Sequence, residues 1–152
     1  MKRYESAMRI RQITVPIVIM ASLAVSARAQ GICVHEQLIA NSLNGRVVAQ
    51  LTKGESPIGR ASVVLLEDRY QGRVVAQATS DTDGVFKFNK KIRPGKYILK
   101  VTYPNLATYY GPVKLVKPEG GSPPQEIVVT IGADFNRPCG GSSAEVRVKK
   151  TV

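Results

Sequence analysis

The segment "SDTDGVFKF", residues 80–88, sets Asp81 and Asp83 one residue apart, follows them with Gly84 and then alternates apolar with polar residues. Two structures share that beginning, a cation-binding loop and the bend of a β-hairpin. A calcium loop needs oxygen ligands at positions 1, 3, 5 and 12 with glycine at 6. Taking Gly84 as the sixth position puts Asp81 and Asp83 at the third and fifth, but Thr79 at the first and Lys90 at the twelfth. A lysine where a bidentate glutamate must close the shell defeats the site. A hairpin asks only that Gly84 accept positive φ between a strand ending near Thr79 and one starting at Val85. The segment is therefore predicted to be a turn, and no metal site is expected in it.

Outward from this turn, from residue 44 on, the chain is a series of short β-branched and apolar runs divided by Gly, Pro, Asn and Asp, with no sustained helical periodicity. That pattern predicts an all-β sandwich or small barrel. Strands are expected near 45–52, 61–68, 72–79, 85–90, 96–103, 112–117 and 125–131, with an eighth in "AEVRVKK" after Cys139. Period-two alternation assigns Tyr97, Leu99, Val101 and Tyr103 to the core face of one strand and Lys96, Ile98, Lys100 and Thr102 to the other face. Phe86 with Phe88, Val113 with Leu115, and Ile127 with Val129 and Ile131 are expected in the core on the same grounds. "GRVVAQ" occurs at 45–50 and again at 72–77, but the flanks disagree, so we read it as a repeated local demand, a turn glycine leading into a half-buried strand.

The N-terminus combines a basic stretch, Lys2, Arg3, Arg9 and Arg11, with the apolar run "ITVPIVIMASLAV" and then "SARAQ". These are the regions of a secretory signal over residues 1–29, cleaved after Ala29. The alternative, a retained membrane anchor, needs about 20 apolar residues, and the run is shorter and contains Pro16 and Ser22. Removing its five basic residues and one acidic residue lowers the net charge from +11 to +7. The denser basic patch, Lys87, Lys90, Lys91, Arg93, Lys96 and Lys100, has no accompanying nucleic-acid recognition motif, and an exported protein does not routinely meet nucleic acid; it is read first as solvated strand faces and turns and otherwise as a contact for an anionic surface, an acidic glycan, lipid headgroup or protein partner. Contact with the membrane is expected only in transit, through the signal. Export also predicts a disulfide between the two cysteines, Cys33 and Cys139. The competing reading of "CVHE" as a metal site lacks a second ligand pair at zinc spacing.

The order "PIGRASVVLLED", "TSDTDGVFKF", "IRPGKYILKVTYPN" and "VKPEGGSPPQEIVVTI" resembles the carboxypeptidase regulatory-like domain, a transthyretin-like β-sandwich also similar to the B-type repeats of bacterial surface adhesins. The resemblance spans residues 43–132, leaving an N-terminal extension, 30–42, and a C-terminal extension, 133–152, that holds Cys139 and the eighth strand. It implies an immunoglobulin-like or transthyretin-like sandwich of seven to eight strands. It also makes Asp81, Asp83, Gly84, Phe86, Pro94, Gly95 and Tyr97 turn and core determinants rather than catalytic ones. Arg60 departs from the glycine usual after "PI", which shifts the bend to Gly59. Asn105 and Leu106 replace the usual "GY", with asparagine able to take the left-handed conformation.

The single histidine, His35, lies outside the matched region, so no Ser-His-Asp set can be assembled there and neither enzymatic activity nor a cofactor is expected. The function expected is that of a secreted or periplasmic module, structural or protein-binding in the cell envelope, with an envelope protein or a surface glycan as partner. The alternative is a carbohydrate-binding module of starch-binding-like architecture, with Tyr109 and Tyr110 as the ligand platform beside Tyr103. Lysine-to-asparagine self-crosslinking, as in some adhesins, would have only Lys53 and Asn136 to use.

Overall fold

The computed structural model describes residues 33–51, 53–69 and 72–149; the expected signal peptide lies outside them. Among these residues ten strands form two mixed five-stranded sheets. They are β1 (Leu38–Ala40), β2 (Gly45–Leu51), β3 (Gly54–Pro57), β4 (Ser62–Glu67), β5 (Val74–Thr79), β6 (Val85–Phe86), β7 (Gly95–Thr102), β8 (Tyr109–Leu115), β9 (Gln125–Ile131) and β10 (Ser143–Val148). The first sheet runs β1-β8-β7-β4-β5 and the second β10-β9-β2-β3, with β6 also paired to β2. Pairing is antiparallel except at β1/β8 and β2/β9. Among the described residues no helix is long and apolar enough to cross a membrane.

The inner faces meet in one core. Val63, Leu65, Leu99, Val101 and Val113 of the first sheet pack with Val47, Phe86, Ile127, Val129 and Ile131 of the second. Each burial follows the alternation of its strand, because a pleated backbone sends successive side chains to opposite faces. The count of ten corrects the expected seven to eight. β1 and β3 carry too few residues for alternation to register, and β1 and β10 come from the two extensions, which are therefore built into the sheets. β6 is two residues long rather than six, yet Phe88 beyond it still packs edge-on against Phe86, with ring centroids 6.0 Å apart.

Tyr103 is a second correction. β7 ends at Thr102, and Tyr103 instead opens a turn closed by Leu106 N–H donating to its carbonyl at 3.2 Å. Outside the ladder it loses the strand's inward direction and is 36% exposed. Asn105 in that turn takes φ 62°, as its substitution for glycine predicts. Arg60, by contrast, takes φ 64° itself and does not pass the bend to Gly59. The two "GRVVAQ" copies occupy unlike places: β2 lies inside its sheet, whereas β5 is an edge strand with Val74 exposed.

The turn at 80–85 is held by its own side chains. Asp81 Oδ1 accepts from the N–H groups of Asp83 at 3.0 Å and Val85 at 2.8 Å, so this carboxylate oxygen serves the backbone. Gly84 has φ 74°, and its carbonyl accepts from Val47 N–H at 2.8 Å. A Cβ there would also come within 2.4 Å of the Val47 carbonyl oxygen. Gly84→Ala is therefore expected to cost about 2 to 3 kcal/mol, combining left-handed strain with the clash. Asp81→Ala is expected to cost about 1 kcal/mol, for exposed hydrogen bonds to the backbone. Urea denaturation measures both, and a Gly84→Ala loss no larger than that of Asp81→Ala would contradict this account of the turn.

Candidate functional site

Two surfaces combine unusual chemistry with defined geometry. The first is the seam between the sheets, where edge strands β1 and β10 approach each other. Val34–Ile39, Tyr109 and Ser143–Val146 line a groove of about 560 Å³ there. Among the described residues both flanking strands are paired on one side only, β1 with β8 and β10 with β9, so each presents an unpaired backbone edge there. At the seam Cys33 and Cys139 form a disulfide with Cα atoms 4.9 Å apart, joining the segment before β1 to the 3-10 turn (Pro138–Gly141) before β10.

His35 sits beside this bond, its Nε2 3.4 Å from Cys33 Sγ, and its ring lies 4.5 Å from that of Tyr109 between centroids. Partial burial holds the imidazole below its ordinary pKa, because desolvation disfavours the charged form. Burial likewise pushes the Tyr109 hydroxyl up to about 12. The side chains of Cys33, His35 and Cys139 approach within 4.8 Å of one another. With the sulfurs bonded to each other, the trio consists of a disulfide and one imidazole, not of two thiolates and an imidazole. Its chemical capacity is structural cross-linking, with neither sulfur available as a nucleophile in this oxidised form.

The second surface is the outer face of the β1-β8-β7-β4-β5 sheet. Tyr109 and Tyr110 are adjacent on β8 and therefore diverge. Tyr109 is buried at 1% exposure, and Tyr110 is 37% exposed on the outer face. The basic patch divides in the same way. Lys96 and Lys100 project from β7 on this face, while Lys87, Lys90, Lys91 and Arg93 belong to the exposed segment between β6 and β7. Lys90 Nζ lies 3.3 Å from the Val75 carbonyl. Of the "PGKY" motif, Pro94 is exposed, Gly95 begins β7, and the Tyr97 hydroxyl donates to the Arg93 carbonyl at 2.7 Å. That bond closes the approach to β7, a structural role. Asp83 is exposed in the 80–85 turn, and Phe86 is in the core.

The opposite sheet arranges its charge differently. Arg147 Nη1 donates to Glu55 Oε2 at 3.0 Å and also pairs with Glu145, holding the Glu55 carboxyl below its usual range. Glu67, at the end of β4, is likewise held low by hydrogen bonds from Arg73 and Arg69.

Sequence reasoning overlooked Ser80 and Ser142, both buried. Ser80 Oγ accepts from Ala61 N–H at 2.9 Å and donates to the Ile58 carbonyl at 2.6 Å. Ser142 Oγ accepts from Gly132 N–H at 3.0 Å and donates to the Ala107 carbonyl at 2.9 Å. Each clamps two loops that are distant in sequence, which no local pattern signals. Lys114 was overlooked as part of the basic surface because it is remote in sequence from Lys96, and only strand pairing brings them together.

Comparison with protein-family models, with curated proteins and with solved structures yields no significant match to this chain. Fold and site geometry, not kinship, are thus the ground for a functional reading. They define an all-β, sandwich-like protein cross-linked by one disulfide, with an open seam and a basic outer face.

Proposed function

We propose that this chain is an exported, non-catalytic β-sandwich module of carboxypeptidase regulatory-like type, serving in the periplasm or outside the cell as a structural or protein-binding element of the envelope. The observation that carries this reading is the Cys33–Cys139 bond. It ties the segment before the first strand to the segment before the last, 106 residues apart, and so closes nearly the whole domain. Such a bond persists in oxidising compartments and suits a module that stands without neighbouring domains. The edges of β1 and β10, unpaired among the described residues, support a binding role, since unpaired backbone groups at a sheet edge can accept a strand from a partner.

Export is tested by N-terminal sequencing of protein from the extracytoplasmic fraction, with Gln30 expected as the first residue. Intact Met1 on membrane-bound material would overturn it. In-cell photo-crosslinking from position 145 on β10 and from position 83 on the distal turn separates a binding role from a purely structural one: protein adducts are expected from the first position only.

A second reading, binding of carbohydrate, is favoured by one observation. Tyr110, 37% exposed and directly opposite Lys100, presents its ring on the outer sheet face, an arrangement suited to stacking on a sugar.

A further inference from the structure

Register across β7 and β8 sets Lys96 directly opposite Lys114 and Lys100 directly opposite Tyr110. Directly opposed side chains have Cβ atoms about 5 Å apart, and like charges so placed repel. All three lysines are exposed. The ion pairs among the described residues are formed by arginines, and none involves these lysines. The outward positions around them, Ile98 and Thr102 on β7, Val64 and Leu66 on β4 and Pro112 on β8, bear no charge, and the nearest acid in register, the exposed Asp68 just past the end of β4, forms no ion pair among the described residues. The other sheet pairs its outward Arg147 with Glu55 and Glu145. Uncompensated positive charge is therefore gathered on one face, with an exposed tyrosine in its midst.

We propose that this face binds an acidic polysaccharide, its carboxylates paired with Lys96, Lys100 and Lys114 and one sugar ring stacked on Tyr110. The proposal rests on the carbohydrate reading and narrows it to polymers that carry negative charge. The lysine ammonium is a compact point charge on a flexible stem, and it meets carboxylates spaced along a chain without demanding one geometry. A carboxylate between Lys96 and Lys114 relieves the repulsion that their register builds in. Ile98 and Pro112, directly opposite each other, form an apolar floor between the charges. An anionic membrane fits it less well, because interfacial binding draws on apolar side chains buried in the headgroup region. The one large hydrophobic that is mostly exposed among the outward residues of β1, β7 and β8 is Ile39, on the edge strand.

The test is affinity electrophoresis of the exported protein through gels containing polygalacturonate or, in parallel, soluble starch. Polygalacturonate is expected to retard the protein, and about 0.5 M salt to abolish the retardation, since exposed charges are screened over a few ångströms at that strength. The triple variant K96Q/K100Q/K114Q is expected to weaken binding at least roughly tenfold, and Tyr110→Ala by about fivefold, both with melting temperatures near wild type. As a charge-matched control, K87Q/K90Q/K91Q is expected to bind like wild type. An equal loss in that control would overturn the site in favour of non-specific attraction by net charge. Retardation by starch equal to that by polygalacturonate and unaffected in the triple variant would leave the carbohydrate reading standing and overturn its acidic specificity. No retardation by either polymer would overturn both. Stronger binding to phosphatidylglycerol vesicles, lost in the same triple variant, would replace the polysaccharide with a membrane.

Discussion

Cys139→Ser is expected to lower the melting temperature by about 15 to 20 °C. The bond joins residues 106 apart, and closing a loop of that length in the unfolded chain is worth about 4 to 5 kcal/mol on the chain-entropy model. For a domain of this size each kcal/mol corresponds to roughly 4 °C. Cys33→Ser should give the same loss and the double variant no more, because all three remove one bond. Wild type under dithiothreitol should converge on them. Thermal scans monitored by circular dichroism measure the shift. If fully reduced wild type melts within about 3 °C of the oxidised protein, the bond is incidental to stability. The stabilisation belongs to the unfolded ensemble, so the reduced protein should retain its sheets in buffer and differ mainly in how readily it unfolds.

The second large effect separates two neighbouring tyrosines. Tyr109→Ala is expected to cost about 3 to 5 kcal/mol, the range for truncating a large buried ring, since Tyr109 is 1% exposed and packs against His35. Tyr110→Ala is expected to stay within about 0.5 kcal/mol of wild type, as surface substitutions do. Chemical denaturation of the two variants reads the difference. Equal losses would mean that β8 does not alternate inward and outward here. The near-native stability of Tyr110→Ala also makes it usable in the polysaccharide test, where a change in binding can then be assigned to the ring.

The same contrast shows how far local pattern reaches. β7 and β9 were legible because Leu99 and Val101, and Ile127, Val129 and Ile131, recur at every second position over a run long enough to reveal the period. The Asp81–Gly84 turn was legible because its chemistry is complete within five residues, the aspartate supplying an acceptor and the glycine a left-handed φ. β1 and β3, three and four residues long, offer too few positions for a period to appear. Tyr103 kept the rhythm of β7 in sequence but lost its inward direction, because the ladder with β8 stops at Val101 opposite Tyr109 and the chain turns.

For the candidate sites the division is sharper. That Cys33 and Cys139 would bond follows from their number and from the expectation of export, and that one of Tyr109 and Tyr110 would be buried follows from their adjacency. Neither the seam nor the basic face was legible as a surface. The seam exists because β1 pairs in parallel with β8 while β10 pairs with β9, leaving two edges side by side. The basic face exists because Lys114 pairs with Lys96, 18 positions away in the chain. The sequence by itself determined the strands with a visible period, the turn that contains its own hydrogen-bond partners, and the cross-link. Only the tertiary structure decided which edges lie free and which charges stand opposed, because register and sheet order depend on contacts between residues distant in the chain, and no local preference encodes those contacts.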